Sequence, residues 1–320
     1  MTMFRTLLSF ALAGAAALAQ AQTYPTKPLR MIVNFPPGGA ADQLGRAVAG
    51  KLQESMGQGV VVENRPGANG AIGAAEVAKA PADGYTVLMS SGGAIALNGL
   101  LYPNLGYDPM KALEPVAPVA SVPVFLQIRP AIPAGTLAEF IAYLRGNPAK
   151  LNYGSPGNGS SPHLAGEMFN RAAKVRTTHV PYKGAAPALT DLLAGQLDFM
   201  FDPGIGLQHA KSGKLKLLAV GSPKRHPAYP DVPTVAEVVG GEFDADTVFG
   251  IYAPAGTPKE VVLKLNAEIG RAMQSADLKA RAAAIAAQDM VLAPDAFAAR
   301  VRAEHERMVV LVRETGLKAD

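Results

Sequence analysis

The chain has 320 residues, yet it contains no cysteine, and only 6% of its residues are aromatic. Lack of cysteine rules out disulfides, thiolate nucleophiles and cysteine-based metal sites, although it does not identify a compartment. Charge of one sign is also scarce, because the formal net charge is +4 and its carriers are spread along the chain. Despite a pI near 9.2, no Lys/Arg cluster interleaves with aromatics, so a nucleic-acid partner is not expected. No uncharged apolar run reaches the ~20 residues needed to span a bilayer. Fixed-period repeats and low-complexity tracts are missing as well. What remains is 49% hydrophobic with 33 glycines, a composition that suits a globular α/β protein and not a disordered one. At this length two domains are the default.

Catalytic signatures are also lacking. Ser90 and Ser160 sit in no G-x-S-x-G elbow, and no S-x-x-K sequence occurs. His305-Glu306 begins like a zinc-binding helix, but Val309 stands where the second histidine belongs. The other histidines, at 163, 179, 209 and 226, show no ligand spacing. No metal, cofactor or activated nucleophile is therefore expected. A secreted hydrolase or lyase would have to assemble its acid and base from residues that the sequence does not bring together.

The first residues carry an address. Arg5 precedes an uncharged, largely apolar segment, Thr6 to Ala19, followed by small residues spaced as A-x-A at Ala17-Leu18-Ala19 or Ala19-Gln20-Ala21. This is the layout of a cleaved secretory signal, residues 1–21, and it predicts a periplasmic protein.

From Thr23 the pattern alternates strand and helix. Leu29 to Val33 is an apolar run that reads as a strand ending by Phe35. Leu44, Ala47, Val48 and Leu52 then recur at helical spacing from Ala40 onward. Strands follow at Val60 to Glu63 and Tyr85 to Met89, with a small-residue helix, Ala71 to Ala80, between them. The alternation predicts parallel strands joined by crossover helices. A run from Val119 to Ile128, broken by Pro123, reads as a crossing between domains, and Phe243 to Ala253 reads as the return. Between them a second α/β unit has strands at Lys150 to Tyr153, Thr177 to Val180, Leu197 to Phe201 and Leu215 to Val220. Mostly helical sequence closes the chain, after Pro258, with a short strand at Met290 to Leu292. The resulting layout is a discontinuous first domain, 22–121 with 246–320, and a second domain, 122–245.

Ligand chemistry is expected in the turns. The turn Phe35-Pro36-Pro37-Gly38-Gly39-Ala40-Ala41-Asp42 delivers free helix N–H groups to its own loop, where an anion is favoured. Ser90-Ser91-Gly92-Gly93 closes another strand in a small polar turn. Gly154 to Pro162 adds Ser155, Gly157, Asn158, Gly159 and Ser160, with Ser161 read as N-cap and Pro162 as first helical residue. Gly157-x-Gly159 is not a dinucleotide fingerprint, because Pro162 replaces the third glycine and no acidic ribose partner follows. A third turn supplies Tyr182, Lys183 and Gly184, and Asp202 ends a strand where ligands of open α/β sheets bind. Each feature has a structural alternative: Asp42 complementing its own helix, His163 packing, Lys183 merely solvated, Asp202-Pro203 a turn. Glu242, Asp244 and Asp246 read as a solvated linker. If the two halves face each other, these turns converge on a cleft lined by helix N-termini and suited to a small carboxylate.

These same segments resemble the Bug receptors, the periplasmic substrate-binding components of tripartite tricarboxylate transporters. The resemblance runs from Tyr24-Pro25-Thr26-Lys27-Pro28 and Phe35 to Asp42 through Val62-Glu63-Asn64-Arg65-Pro66-Gly67-Ala68 and Pro81-Ala82-Asp83-Gly84-Tyr85. It continues through Gly157 to Glu167, Val180 to Gly184, Gly195 to Asp198 and Tyr252 to Pro258. It implies a two-lobed, flytrap-type periplasmic binding-protein fold (type II), an organic acid held between the lobes, often through waters, and delivery as a monomer to a permease of one large and one small subunit. Carried onto this chain, the ligand contacts fall on Phe35 to Asp42, Ser90 to Ala94, Ser155 to His163, Tyr182 to Ala185 and Asp202. Pro203 departs from the Asp-Asn pair frequent in the family. With no arginine in these turns, backbone N–H and hydroxyl groups would hold the carboxylate, and dicarboxylates, aromatic acids and amino acids all remain open. A sensor-kinase partner would use the same site.

Overall fold

The computed structural model describes residues 24–102 and 104–315. The secretory signal expected at residues 1–21 lies outside them. Two sheets organise the chain. The first takes β1 (Leu29–Val33), β2 (Val60–Asn64), β3 (Thr86–Ser91) and β4 (Leu113–Val122). The chain then passes through Pro123 and Val124 into the second sheet, made of β5 (Phe125–Ile128), β6 (Asn152–Ser155), β7 (Thr178–Pro181), β8 (Phe199–Asp202) and β9 (Lys216–Val220). Residues 221–246 carry it back to β10 (Thr247–Pro254) and the short β11 (Gln288–Asp289) of the first sheet. Strand order is β11-β4-β10-β3-β1-β2 in one sheet and β7-β6-β8-β5-β9 in the other.

Both sheets are mixed, where the alternation of elements predicts parallel strands. β2, β1 and β3 are parallel, as are β7, β6 and β8. The strands next to each crossing, β4, β5 and β10, pair antiparallel to their neighbours. A strand that has just entered from the other lobe arrives from the opposite direction, without the crossover helix that makes a parallel neighbour. β4 also begins earlier than its prolines suggest. Its register against β10 skips one residue beside Pro118 and another beside Pro115, so bulges take up positions where proline has no N–H to give. The short strand expected at Met290 to Leu292 lies at β11 instead, two residues earlier.

Helices cover the sheets through apolar faces. α1 (Ala40–Met56) buries Leu44, Val48 and Leu52 and is followed by α2 (Ala71–Ala78) and α3 (Gly92–Leu101). The second lobe has α4 (Leu137–Gly146), α5 (Ser161–Ala173) and α6 (Ala185–Leu193). α4 starts at Thr136 with a full capping box to Glu139, an arrangement that typically contributes ~1 kcal/mol. The cap of α5 is Ser160 rather than Ser161. Ser160 keeps an extended backbone and its Oγ accepts from His163 N, while Pro162 occupies the second helical position, where no intrahelical donor is needed. α7 (Lys259–Met273), α8 (Ala276–Ala284) and α9 (Pro294–Thr315) return to the first lobe. α7 packs on α1 and β4, and α9 on α3 and β4.

All eight residues of β10 are buried, and at its middle Gly250 leaves room for the ring of Phe297 from α9. A Cβ at Gly250 would lie 2.4 Å from Phe297 Cζ and 3.0 Å from the carbonyl of Ala117. Gly250→Val should therefore lose about 1–3 kcal/mol through overpacking, read as a lower urea midpoint with an unchanged slope.

Candidate functional site

Four helix N-termini from the two lobes point into one space. α1 begins after Gly39, which has an extended backbone and offers no side-chain cap. The N-cap of α3 is Ser91, whose Oγ accepts from Ala94 N at 3.2 Å. α5 begins after Ser160, and α6 after Gly184, again without a side-chain cap. Between them lies a narrow chamber with about 50 Å³ of room for solvent. Ala40 and Ala41 line it from α1, Ser91 from α3, Ser160, Ser161 and Pro162 from α5, and Ala185 and Ala186 from α6. Phe35, Pro36, Pro37, Gly39, Pro156, Pro203, Thr247 and Phe249 complete the wall. No charged side chain is among these residues. The polar groups are four hydroxyls and the first N–H groups of the helices, all of which favour a bound anion.

The lobes meet around this chamber. A methyl group at Gly184 would come 2.7 Å from Pro36 Cγ, and one at Gly93 would come 3.0 Å from Ser161 Oγ. Gly159 faces Leu101, and Gly38 faces Ala186, in the same manner. Pro36 and Pro156 also border a second, larger space of about 500 Å³, where Gly157, Asn158, Tyr182 and Lys183 face Asn34 and residues 66–70.

Several side chains singled out in the sequence hold the turns in shape. The Asp42 carboxylate accepts from Gly38 N at 3.0 Å, Arg46 Nε at 2.9 Å and Asn64 Nδ2 at 2.9 Å. Asn64 Nδ2 also donates to the Phe35 carbonyl, so Asp42 pins the Pro-Pro-Gly-Gly turn and does not line the chamber. Ser90 is fully buried and accepts from Asn34 Nδ2. Ser155 Oγ lies 2.7 Å from His179 Nε2 and bonds both the N–H and the carbonyl of Gly157. The His179 ring stacks on His163 with centroids 3.9 Å apart, while His163 Nδ1 accepts from Gly159 N. Burial, reinforced by charge from His163, pushes His179 down to about 3, so the His179 ring is neutral at physiological pH. Tyr182 donates to Asp191 at 2.7 Å.

Asp202 is wholly buried at the end of β8. It accepts from Gln127 Nε2 at 3.0 Å and Gly206 N at 2.9 Å, and only its neighbour Pro203 reaches the chamber. Burial pushes its carboxyl up to about 7, against the opposing pull of its hydrogen bonds. Gly92 and Gly93 press against Glu304 of α9, and Gly93 also against Ser161. Behind the chamber the residues expected to form a solvated linker are partly built into the fold. Asp246 accepts from Ser222 Oγ at 2.5 Å and Asp244 pairs with Arg307 at 2.9 Å, whereas Glu242 is exposed. Burial raises Asp246 to about 6 and Glu304 to about 7.

The structure thus brings together Phe35, Pro36, Pro37, Gly39, Ala40, Ser91, Ser160 and Ala185 of the residues named from the sequence. Gly157, Asn158, Tyr182 and Lys183 face the second space, and Gly184 and Gly38 lie at the lobe contact. Ala94 is buried in the first turn of α3, where it donates to the Ser91 cap. Thr247 and Phe249 were missed. They lie on the strand read as a return crossing, and nothing in their local sequence marks one face of that strand as ligand-facing.

A family profile described as "Tripartite tricarboxylate transporter family receptor" matches residues 44–315. The chain is 40% identical to protein BugT of Bordetella pertussis, over 96% of this chain and 95% of that protein. Among solved structures, R. palustris Rpa4515 with adipate superposes with a TM-score of 0.89 at 35% identity, covering 93% of this chain and 100% of that one. MatC of Rhodopseudomonas palustris with bound malate gives 0.85 at 33% identity, covering 90% and 100%.

The buried carboxyls set a pH dependence. Asp202, Glu304 and Asp246 have folded-state values above the ordinary carboxylate range. At these three groups the folded state holds more protons than the unfolded chain, so the stability they contribute should fall as pH rises from about 4.5 through 7, against the opposite contribution of His179. Asp202→Asn removes one of these groups. Thermal melts between pH 5 and 8 should show the variant gaining on the parent as pH rises.

Proposed function

Because the chain belongs to the tripartite tricarboxylate transporter receptor family, we propose that it captures a small organic acid with an apolar carbon body. The lobes close on that acid and the closed form hands it to a two-subunit permease. The observation that carries this reading is the chamber itself. Its anion-favouring groups are helix N-termini and hydroxyls, and the rest of its wall is proline, alanine and phenylalanine. A carboxylate satisfies the N–H groups, while an aromatic ring or an unsubstituted chain lies against the apolar wall. Relatives of known structure carry adipate and malate, which supports the carboxylate end of this assignment.

An amino acid fits less well. Its ammonium group needs an acceptor, and the two candidate carboxylates, Asp42 and Asp202, are both occupied with their own turns. The extra hydroxyls of a hydroxy acid would likewise lie against prolines. Pro203, in place of an amide, makes this part of the wall apolar.

In this reading the lobes are residues 22–121 with 246–320, and 122–245, hinged where the chain crosses near Pro123 and near Asp246. The ligand tilts the open–closed equilibrium by binding the closed form more tightly, and the permease recognises the closed form. The leader at residues 1–21 directs the receptor to the periplasm, where it acts as a monomer.

Mass spectrometry of ligand released from gently purified protein tests the assignment, together with a thermal-shift panel. Aromatic and unsubstituted aliphatic acids should raise the melting temperature more than amino or hydroxy acids. An acid present at ~100 times its dissociation constant adds about 2.7 kcal/mol. Preferential stabilisation by amino acids, or turnover of a bound acid, would contradict the proposal. Closure has its own test. Gly93 has no strained backbone angle, but a Cβ there lies 3.0 Å from Ser161 Oγ across the lobe contact. Gly93→Val should wedge the jaws and weaken binding of the best acid at least about tenfold, equivalent to ~1.4 kcal/mol.

A further inference from the structure

Thr247 opens β10 at a point where three parts of the molecule meet. It is paired in register with Val122, the last residue of β4 before the chain crosses to the second lobe. Both crossings therefore leave the first sheet at this pair. Thr247 is only 3% exposed, and its Oγ1 has no hydrogen-bond partner among the described residues. It lines the chamber beside Ser91 and Ser161. A methyl group on Gly93 would sit 3.0 Å from Ser161 Oγ, 3.8 Å from Thr247 Oγ1 and 3.9 Å from Glu304 Oε1, so hydroxyls from the second lobe and from the hinge strand, with the buried Glu304 carboxyl beside them, crowd one spot at the start of α3.

A buried hydroxyl without a partner destabilises the protein that carries it. Valine has the same shape and the same β-branched preference for a strand, and would fill this position without that penalty. The neighbouring residues of β10 are already apolar and buried. A hydroxyl retained here is explained by a partner that enters the chamber.

We propose that Thr247 is a specificity-determining contact of the receptor, donating from Oγ1 to the carboxylate of the bound acid. The inference rests on the reading of the chamber as a carboxylate site, and it assigns one side chain its share of that recognition. A carboxylate oxygen there is shared between the hydroxyls of Thr247 and Ser161. The ligand thereby joins a side chain of the second lobe to the residue pair from which both crossings depart, which ties occupancy of the site to the closed arrangement of the lobes. An ester or amide of the same acid lacks the charge that draws both donors.

The test uses the mature protein and the substitutions Thr247→Val and Thr247→Ser, with benzoate and adipate as probes. Without any acid added, Thr247→Val should melt at a higher temperature than the parent, because the unpaired hydroxyl is gone. By calorimetry its affinity for the probe should fall tenfold or more, and Thr247→Ser should recover most of that loss. A Thr247→Val protein that is no more stable than the parent, or that binds the probe as tightly, overturns the assignment. If neither probe binds the parent, the apolar-acid reading of the chamber fails, while the melting comparison still decides whether Thr247 holds an unsatisfied hydroxyl.

Discussion

The structure depends on bringing like-signed helix ends together. α1, α3, α5 and α6 each end in unsatisfied N–H groups that together amount to roughly half a positive charge per helix. Residues at these four ends line a single narrow chamber. Two of the four belong to each lobe, so closing the lobes concentrates positive potential in an apolar space. An anion relieves this, and water does so less well once the space is narrow. In the proposed function, closure and anion capture are one electrostatic event. No arginine or lysine is required in the chamber, and none lines it.

This arrangement demands rigid turns, and the buried polar groups supply them. Asp42 clamps the turn before α1 through three hydrogen bonds. Ser155, bonded to His179, and the stacked rings of His179 and His163 shape the loop before α5. Asp202 holds the loop after β8 through Gly206 N. These side chains stand one layer behind the chamber and orient the backbone that lines it. Small residues at the lobe contact, Gly93, Gly159 and Gly184, allow the two jaws to approach. The chamber wall is thus mostly main chain and hydroxyl, with prolines and Phe249 supplying its apolar part.

Much of this was legible before any coordinates. The opening strand and helix follow from the change of apolar spacing at Ala40, and the two crossings follow from Pro123 and the return run after Phe243. The convergence of turns was legible too, because each lies at the carboxyl end of a strand. Sheet polarity was not. A strand that enters from the other lobe has the same local pattern as one that follows a crossover helix, so β5 and β10 carry no sign of running antiparallel. The roles of Asp42, His163 and Asp202 were equally hidden, since a polar residue in a binding turn reads alike whether it touches ligand or braces the loop. Asn64 and Gln127, which bond Asp42 and Asp202, become their neighbours only in three dimensions. Thr247 and Phe249 lie in a strand buried on both faces, which has no alternation to mark the side facing the cleft.

The central claim is that charge at the helix N-termini, and not shape alone, selects the ligand. It is tested most directly by titrating the mature protein with benzoate and with benzamide in a calorimeter. The two have nearly the same shape and differ in the negative charge placed at the helix ends. Benzoate should bind, and affinity for benzamide should be weaker by at least about a hundredfold, roughly 2.7 kcal/mol. Equal affinity for the two compounds would contradict it.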